Sequence, residues 1–93
     1  MRTIERTGQF KKDYKRESKG QHRKTIGDDL KSIMSKLAND EPLAPKHRDH
    51  LLVGEWKDHR DCHVKPDLVL IYRLLDKHTL QLVRPGSHSE LSL

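Results

Sequence analysis

Five consecutive residues, Leu68-Val69-Leu70-Ile71-Tyr72, are wholly apolar or aromatic in a chain that is only 32% hydrophobic and 35% charged. The β-branched and aromatic character continues to Leu75, where Asp76-Lys77-His78 offers a hairpin connection into a further strand over Thr79–Arg84. A strand apolar at successive positions has no face for solvent. It is expected at the centre of a sheet, covered on both sides. The same run argues against disorder, which the polar composition would otherwise suggest, because the apolar residues are grouped rather than scattered. Residues 1–93 are expected to form one domain with a small core, since a chain this short buries roughly 60% of its unfolded surface.

The first half has a different period. Ile26, Leu30, Ile33, Met34, Leu37 and Ala38 make one apolar stripe at helical spacing, stopped by Asn39, Asp40 and Pro42. Ahead of it, Thr7 is a plausible N-cap for a helix over residues 9–19, with Phe10 and Tyr14 on one face and Gly20 able to end it. Residues 2–6 suit a short first strand. After Pro42 and Pro45 the pattern turns extended: His50 to Val53, interrupted by Gly54, then residues 58–64, with Pro66-Asp67 as the next turn. Helices first and strands afterwards predict an α+β domain, two N-terminal helices packed on an antiparallel sheet.

Charge is concentrated at one end. Residues 1–24 hold nine Lys or Arg against three acids, while the remainder is nearly balanced. Lys11, Lys12, Lys15, Arg16 and Lys19 coat the first helix, a segment suited to a polyanion such as nucleic acid. The single cysteine, Cys62, allows no internal disulfide, and no apolar stretch approaches the roughly 20 residues of a membrane span. A cytoplasmic protein without membrane contact is expected.

Seven histidines, concentrated in the second half, are the side chains best matched to proton exchange near neutral pH. Alternation along residues 58–64 puts His59, Asp61 and His63 on one face and Arg60, Cys62 and Val64 on the other, with Cys62 turned inward. Near the end, Arg84-Pro85-Gly86-Ser87-His88 sets an arginine fork, suited to phosphate oxygens, a short loop from a possible acid or base. Asp61, His63 and Asp67 have the atoms of metal ligands but no recognised ligand spacing, so neither metal nor other cofactor is expected.

Several linked motifs over residues 42–91 resemble the RelE/ParE toxin superfamily, and within it the YafQ-type ribosome-dependent endoribonucleases. They are Pro42-Leu43, Lys46 to Leu51, Gly54-Glu55-Trp56-Lys57, Arg60 to Val64, Pro66-Asp67, Leu70-Ile71-Tyr72 and Arg84-x-Gly-Ser-His88. The resemblance implies a microbial-ribonuclease-like sheet and an active site of His50, Asp61, His63, Asp67, Arg84 and His88. It implies attack of the RNA's own 2′-hydroxyl on the adjacent phosphate, leaving a cyclic phosphate and a 5′-hydroxyl, without a metal. His88 is then the general acid and Arg84 the stabiliser of charge on phosphorus, with the base one of His50, His63 and Asp67. Two departures stand out: the chain ends Leu91-Ser92-Leu93 where the family usually has an aromatic, and Pro85 stiffens the approach to Gly86.

The expected partners are a cognate antitoxin, the ribosome with its mRNA, and operator DNA reached through the antitoxin. Two alternatives share the fold: a ParE-like inhibitor of DNA gyrase, and a non-catalytic corepressor that binds DNA with its antitoxin.

Overall fold

The apolar run becomes the middle strand of a five-stranded sheet. In the computed structural model, which describes residues 1–20, 23–91 and 93, the strands are β1 (Thr3–Arg6), β2 (His50–Leu51), β3 (Arg60–Lys65), β4 (Leu68–Leu74) and β5 (Thr79–Gly86). Their order is β1-β5-β4-β3-β2. The β2–β3, β3–β4 and β4–β5 pairings are antiparallel as expected. The expectation of a wholly antiparallel sheet is corrected at one edge, because β1 runs parallel to β5. Parallel pairing needs a long crossover, and the two helices and three strands between β1 and β5 supply it.

Helices α1 (Gly8–Glu17) and α2 (Ile26–Ala38) cover one face. Thr7 caps α1 as anticipated, its hydroxyl oxygen accepting from Phe10 N at 2.9 Å while the hydroxyl donates to Val83 O at 2.6 Å, which ties the helix to β5. The helix is shorter than expected. It ends at Glu17, which leaves Lys19 in the following turn. The α2 stripe buries Ile26, Leu30, Ile33, Leu37 and Ala38 against Cys62, Val64, Leu68, Leu70, Tyr72, Leu80 and Leu82. Burial pushes the Cys62 thiol well up, so it packs as a small apolar group.

The opposite face carries a smaller apolar cluster of Leu52, Val69, Ile71 and Leu91, flanked by Trp56 and Val83. β4 is therefore buried on both sides. Leu70→Ala is expected to destabilise the protein by about 2–5 kcal/mol, read as a lowered urea midpoint, because the cavity would open in the larger core. The last cover on this second face is a short helix, α3 (His88–Leu91), which the strand-and-loop reading of the C-terminus did not foresee.

Candidate active site

The second face gathers most of the chemically equipped side chains, and the strand register explains why. His50 pairs with Asp61, Asp61 with Ile71, and Ile71 with Arg84, so all four lie on one rung across the sheet. His63 pairs with Val69 and Val69 with Gly86, two residues further along the same face.

Arg84 reaches this face through an irregularity. Simple alternation from Leu80 and Leu82, both in the helix-side core, would turn residue 84 toward the helices. The β4–β5 register jumps between Ile71 and Tyr72, which pair with Arg84 and Leu82, so Val83 is an extra residue. Such a bulge re-aims the strand and carries Arg84 to the Ile71 side. β1 ends opposite Leu82, and Pro85, lacking an N–H, is tolerated because among the described residues no strand lies beyond it there. Arg84 Nε donates to Asp13 Oδ2 of α1 at 2.9 Å.

Asp61 lies at the bottom of the histidine group, 2% exposed. His50 Nδ1 is 2.9 Å from Asp61 Oδ1 and 2.7 Å from the Arg48 carbonyl, and the hydrogen bond goes to the carbonyl. Asp61 Oδ1 is left buried without a hydrogen bond among the described residues. Burial pushes the Asp61 carboxyl up, while His50, His63 and His88 pull it part of the way back. With Nδ1 facing two acceptors, the neutral His50 ring keeps its lone pair on Nε2, and its side chain is exposed. The segment bearing His50 is pinned from the other side of the sheet: Asp49 accepts from the Tyr72 hydroxyl and pairs with Arg60 Nε at 3.3 Å. His47, in the 3-10 turn Pro45–His47, adds a contact of 2.6 Å from Nδ1 to the His63 carbonyl.

His63 and His88 meet edge to face, ring centroids 4.9 Å apart. Burial and the neighbouring His88 charge lower the His63 pKa, with Asp61 opposing. Two rings so close do not readily carry two protons. His88 is exposed at the start of α3, which is held by a capping box: Ser87 N donates to Glu90 Oε1 and Glu90 N to Ser87 Oγ, both at 3.2 Å. Trp56 Nε1 donates to the Leu91 carbonyl at 3.0 Å. A Cβ on Gly86 would stand 3.4 Å from Leu91 Cγ, so glycine lets this helix lie against β5.

Of the residues singled out from sequence, His50, Asp61, His63 and His88 come together, and Arg84 shares the Asp61 rung. Asp67 sits exposed on the turn between β3 and β4, at the His63 end. His59 precedes β3 and turns to Trp56 instead, its ring 5.5 Å from the indole. Lys11, Lys12 and Lys15 are exposed on α1. Arg16 is engaged, meeting Asp13 at 3.5 Å, Glu17 at 3.4 Å and Glu90 at 2.6 Å. In the C-terminal ending Leu91 is buried and Leu93 exposed, and Ser92 lies outside the described residues. Asp13, Asp49, Trp56 and Glu90 were not anticipated as parts of the site, although Asp49 and Trp56 lie within the motifs that carry the resemblance and the Ser87-x-x-Glu90 spacing announces Glu90.

Three histidines lie over a buried carboxyl, with an arginine on the same rung of the sheet, on a two-helix, one-sheet α+β scaffold; such groups can exchange protons near neutral pH and meet anionic oxygens. Residues 2–93 match the family of bacterial toxins of type II toxin–antitoxin systems described as YafQ, and the chain belongs to it. It is 44% identical over 92 residues to the mRNA interferase toxin YafQ of Escherichia coli, an alignment spanning 98% of this chain and 96% of that one. The crystal structure of YafQ from E. coli superposes with a TM-score of 0.84 at 41% identity, covering 98% of both chains. YafQ in the crystallised E. coli DinJ–YafQ toxin–antitoxin complex gives a TM-score of 0.81 at 43% identity, covering 97% of this chain and 96% of that one. The E. coli relative carries the name of an mRNA interferase, an endoribonuclease toxin. No helix among the described residues is long and apolar enough to cross a membrane.

Proposed function

We propose that this toxin, an mRNA interferase by family, cleaves mRNA in the ribosomal A site by acid–base catalysis on the histidine face. The observation that carries the reading is the edge-to-face His63–His88 pair beside the His50–Asp61 pair. His50, with Nε2 available, takes the proton from the 2′-hydroxyl as that oxygen attacks phosphorus. Asp61 beneath it favours the imidazolium that results. His88 gives its proton to the departing 5′-oxygen. Arg84 stabilises the charge that builds on the phosphate oxygens. The bond from phosphorus to the 5′-oxygen breaks, and a 2′,3′-cyclic phosphate and a 5′-hydroxyl remain. Asp67, at the rim, is placed to contact the substrate rather than the reacting proton. The enzyme works in the cytoplasm and is neutralised by a cognate antitoxin, with which it contacts operator DNA.

The depressed His63 pKa has a readable consequence. His63 is expected to titrate below the usual histidine value near 6.5. In His88→Gln the neighbouring positive charge is gone, so the His63 transition should move upward. Proton NMR titration of the His63 ring checks this; an unmoved transition would mean that the two rings do not sense each other.

Exposed Lys11, Lys12 and Lys15 support contact with ribosomal RNA. Changing all three to Glu is expected to weaken ribosome binding by roughly tenfold or more at low salt and to flatten its salt dependence. A sedimentation assay across a salt series measures both. Binding of unchanged strength and slope would remove this helix face from the interface.

A further inference from the structure

Buried carboxylates need partners, and the one on α1 has partners that lead into the site. Asp13 is 2% exposed, on a helix otherwise coated with lysines. Its Oδ2 accepts from Arg84 Nε at 2.9 Å and its Oδ1 from Gln9 Nε2 at 3.0 Å, with Arg16 Nη1 3.5 Å from the same Oδ1. We infer that Asp13 is a positioning residue that sets the orientation of the Arg84 guanidinium for phosphate. The inference rests on the role given to Arg84 above.

The geometry of the contact is what suggests this. An arginine held through Nε has its plane fixed while the two terminal amino groups stay available as a fork. Among the described residues, Nη1 and Nη2 of Arg84 make no hydrogen bond or ion pair. The side chain is 25% exposed, so that fork has an outlet to solvent and hence to a substrate. Asp13 is itself held in place, since Gln9 and Arg16 flank it one turn away on either side of the same helix. Arg16 continues the chain of contacts, its Nη2 meeting Glu90 Oε2 at 2.6 Å, and Glu90 caps the helix that carries His88. One buried carboxylate thus anchors the arginine and is connected through Arg16 to the helix of the acid. An arginine already oriented loses less freedom when charge builds on the phosphate, so the benefit falls on the chemical step.

The test is a double-mutant cycle on single-turnover cleavage of ribosome-bound mRNA, with Asp13→Asn, Arg84→Ala and the pair. Asparagine keeps the volume and an acceptor oxygen, and thermal unfolding of each variant shows whether it is folded. Asp13→Asn is expected to slow the cleavage step roughly 10- to 100-fold with little change in the concentration at half-saturation. In the Arg84→Ala background it should add no further loss, because the group it positions is gone. Asp13→Glu, which keeps the charge, should recover part of the rate. Equal losses in both backgrounds, or an Asp13→Asn protein as fast as wild type, would overturn the inference while leaving Arg84 in its role. An Arg84→Ala protein that cleaves normally would overturn both.

Discussion

His88→Ala is expected to slow mRNA cleavage by roughly 10²- to 10⁴-fold, the usual contribution of a positioned general acid. The protein should unfold at the wild-type temperature. His88 is exposed, so its removal opens no cavity, and α3 keeps its capping box, the buried Leu91 and the Trp56 bond to the Leu91 carbonyl. The measurement pairs single-turnover rates with a thermal scan. Its size separates two accounts of the residue. A loss of two orders or more without destabilisation makes His88 a proton donor, whereas a loss of only two- or three-fold would make it a substrate contact.

Arg84→Ala is expected to slow cleavage by roughly 10²- to 10³-fold, the range seen when one preorganised stabiliser of transition-state charge is removed. Here stability should fall as well, by about 1–3 kcal/mol, since the Asp13 carboxylate loses a charged partner in a buried setting. Arg84→Lys separates the effects. An ammonium keeps the charge but cannot hold Asp13 through one nitrogen while presenting a planar pair to the phosphate. It should recover more stability than activity, measured by thermal unfolding against single-turnover rate. Full recovery of activity by lysine would mean that charge alone matters and that the orientation of the fork does not.

How much of this was legible in the sequence differs from element to element. The α2 stripe and the apolar run of β4 were read correctly because each carries its own period and each is buried by that pattern. The direction of β1 was not, because pairing between the first and last strands is decided by the crossover rather than by anything within five residues. The site divides in the same way. Asp61 and His63 were placed on one face by alternation alone, and the structure keeps them there. Alternation would have sent Arg84 to the wrong face, and only the bulge at Val83 reverses it. A bulge in β5 is fixed by how β4 and β5 pair, which no local pattern encodes. His59 failed for a related reason: β3 begins two residues later than the pattern suggested, after Asp58 adopts a left-handed conformation. Asp13 was hidden because nothing in the basic helix sequence marks it as buried until the fold brings Arg84 against it.

The central claim is that the histidine face cuts mRNA on the ribosome. The most direct test is a cell-free translation reaction with a defined mRNA, purified protein previously treated with EDTA, and mapping of new RNA ends. Cuts within codons that require ribosomes, leave 5′-hydroxyl and 2′,3′-cyclic phosphate ends, and disappear with His88→Ala are the predicted result. Intact mRNA, cuts that persist with His88→Ala, or ends bearing a 5′-phosphate would contradict it.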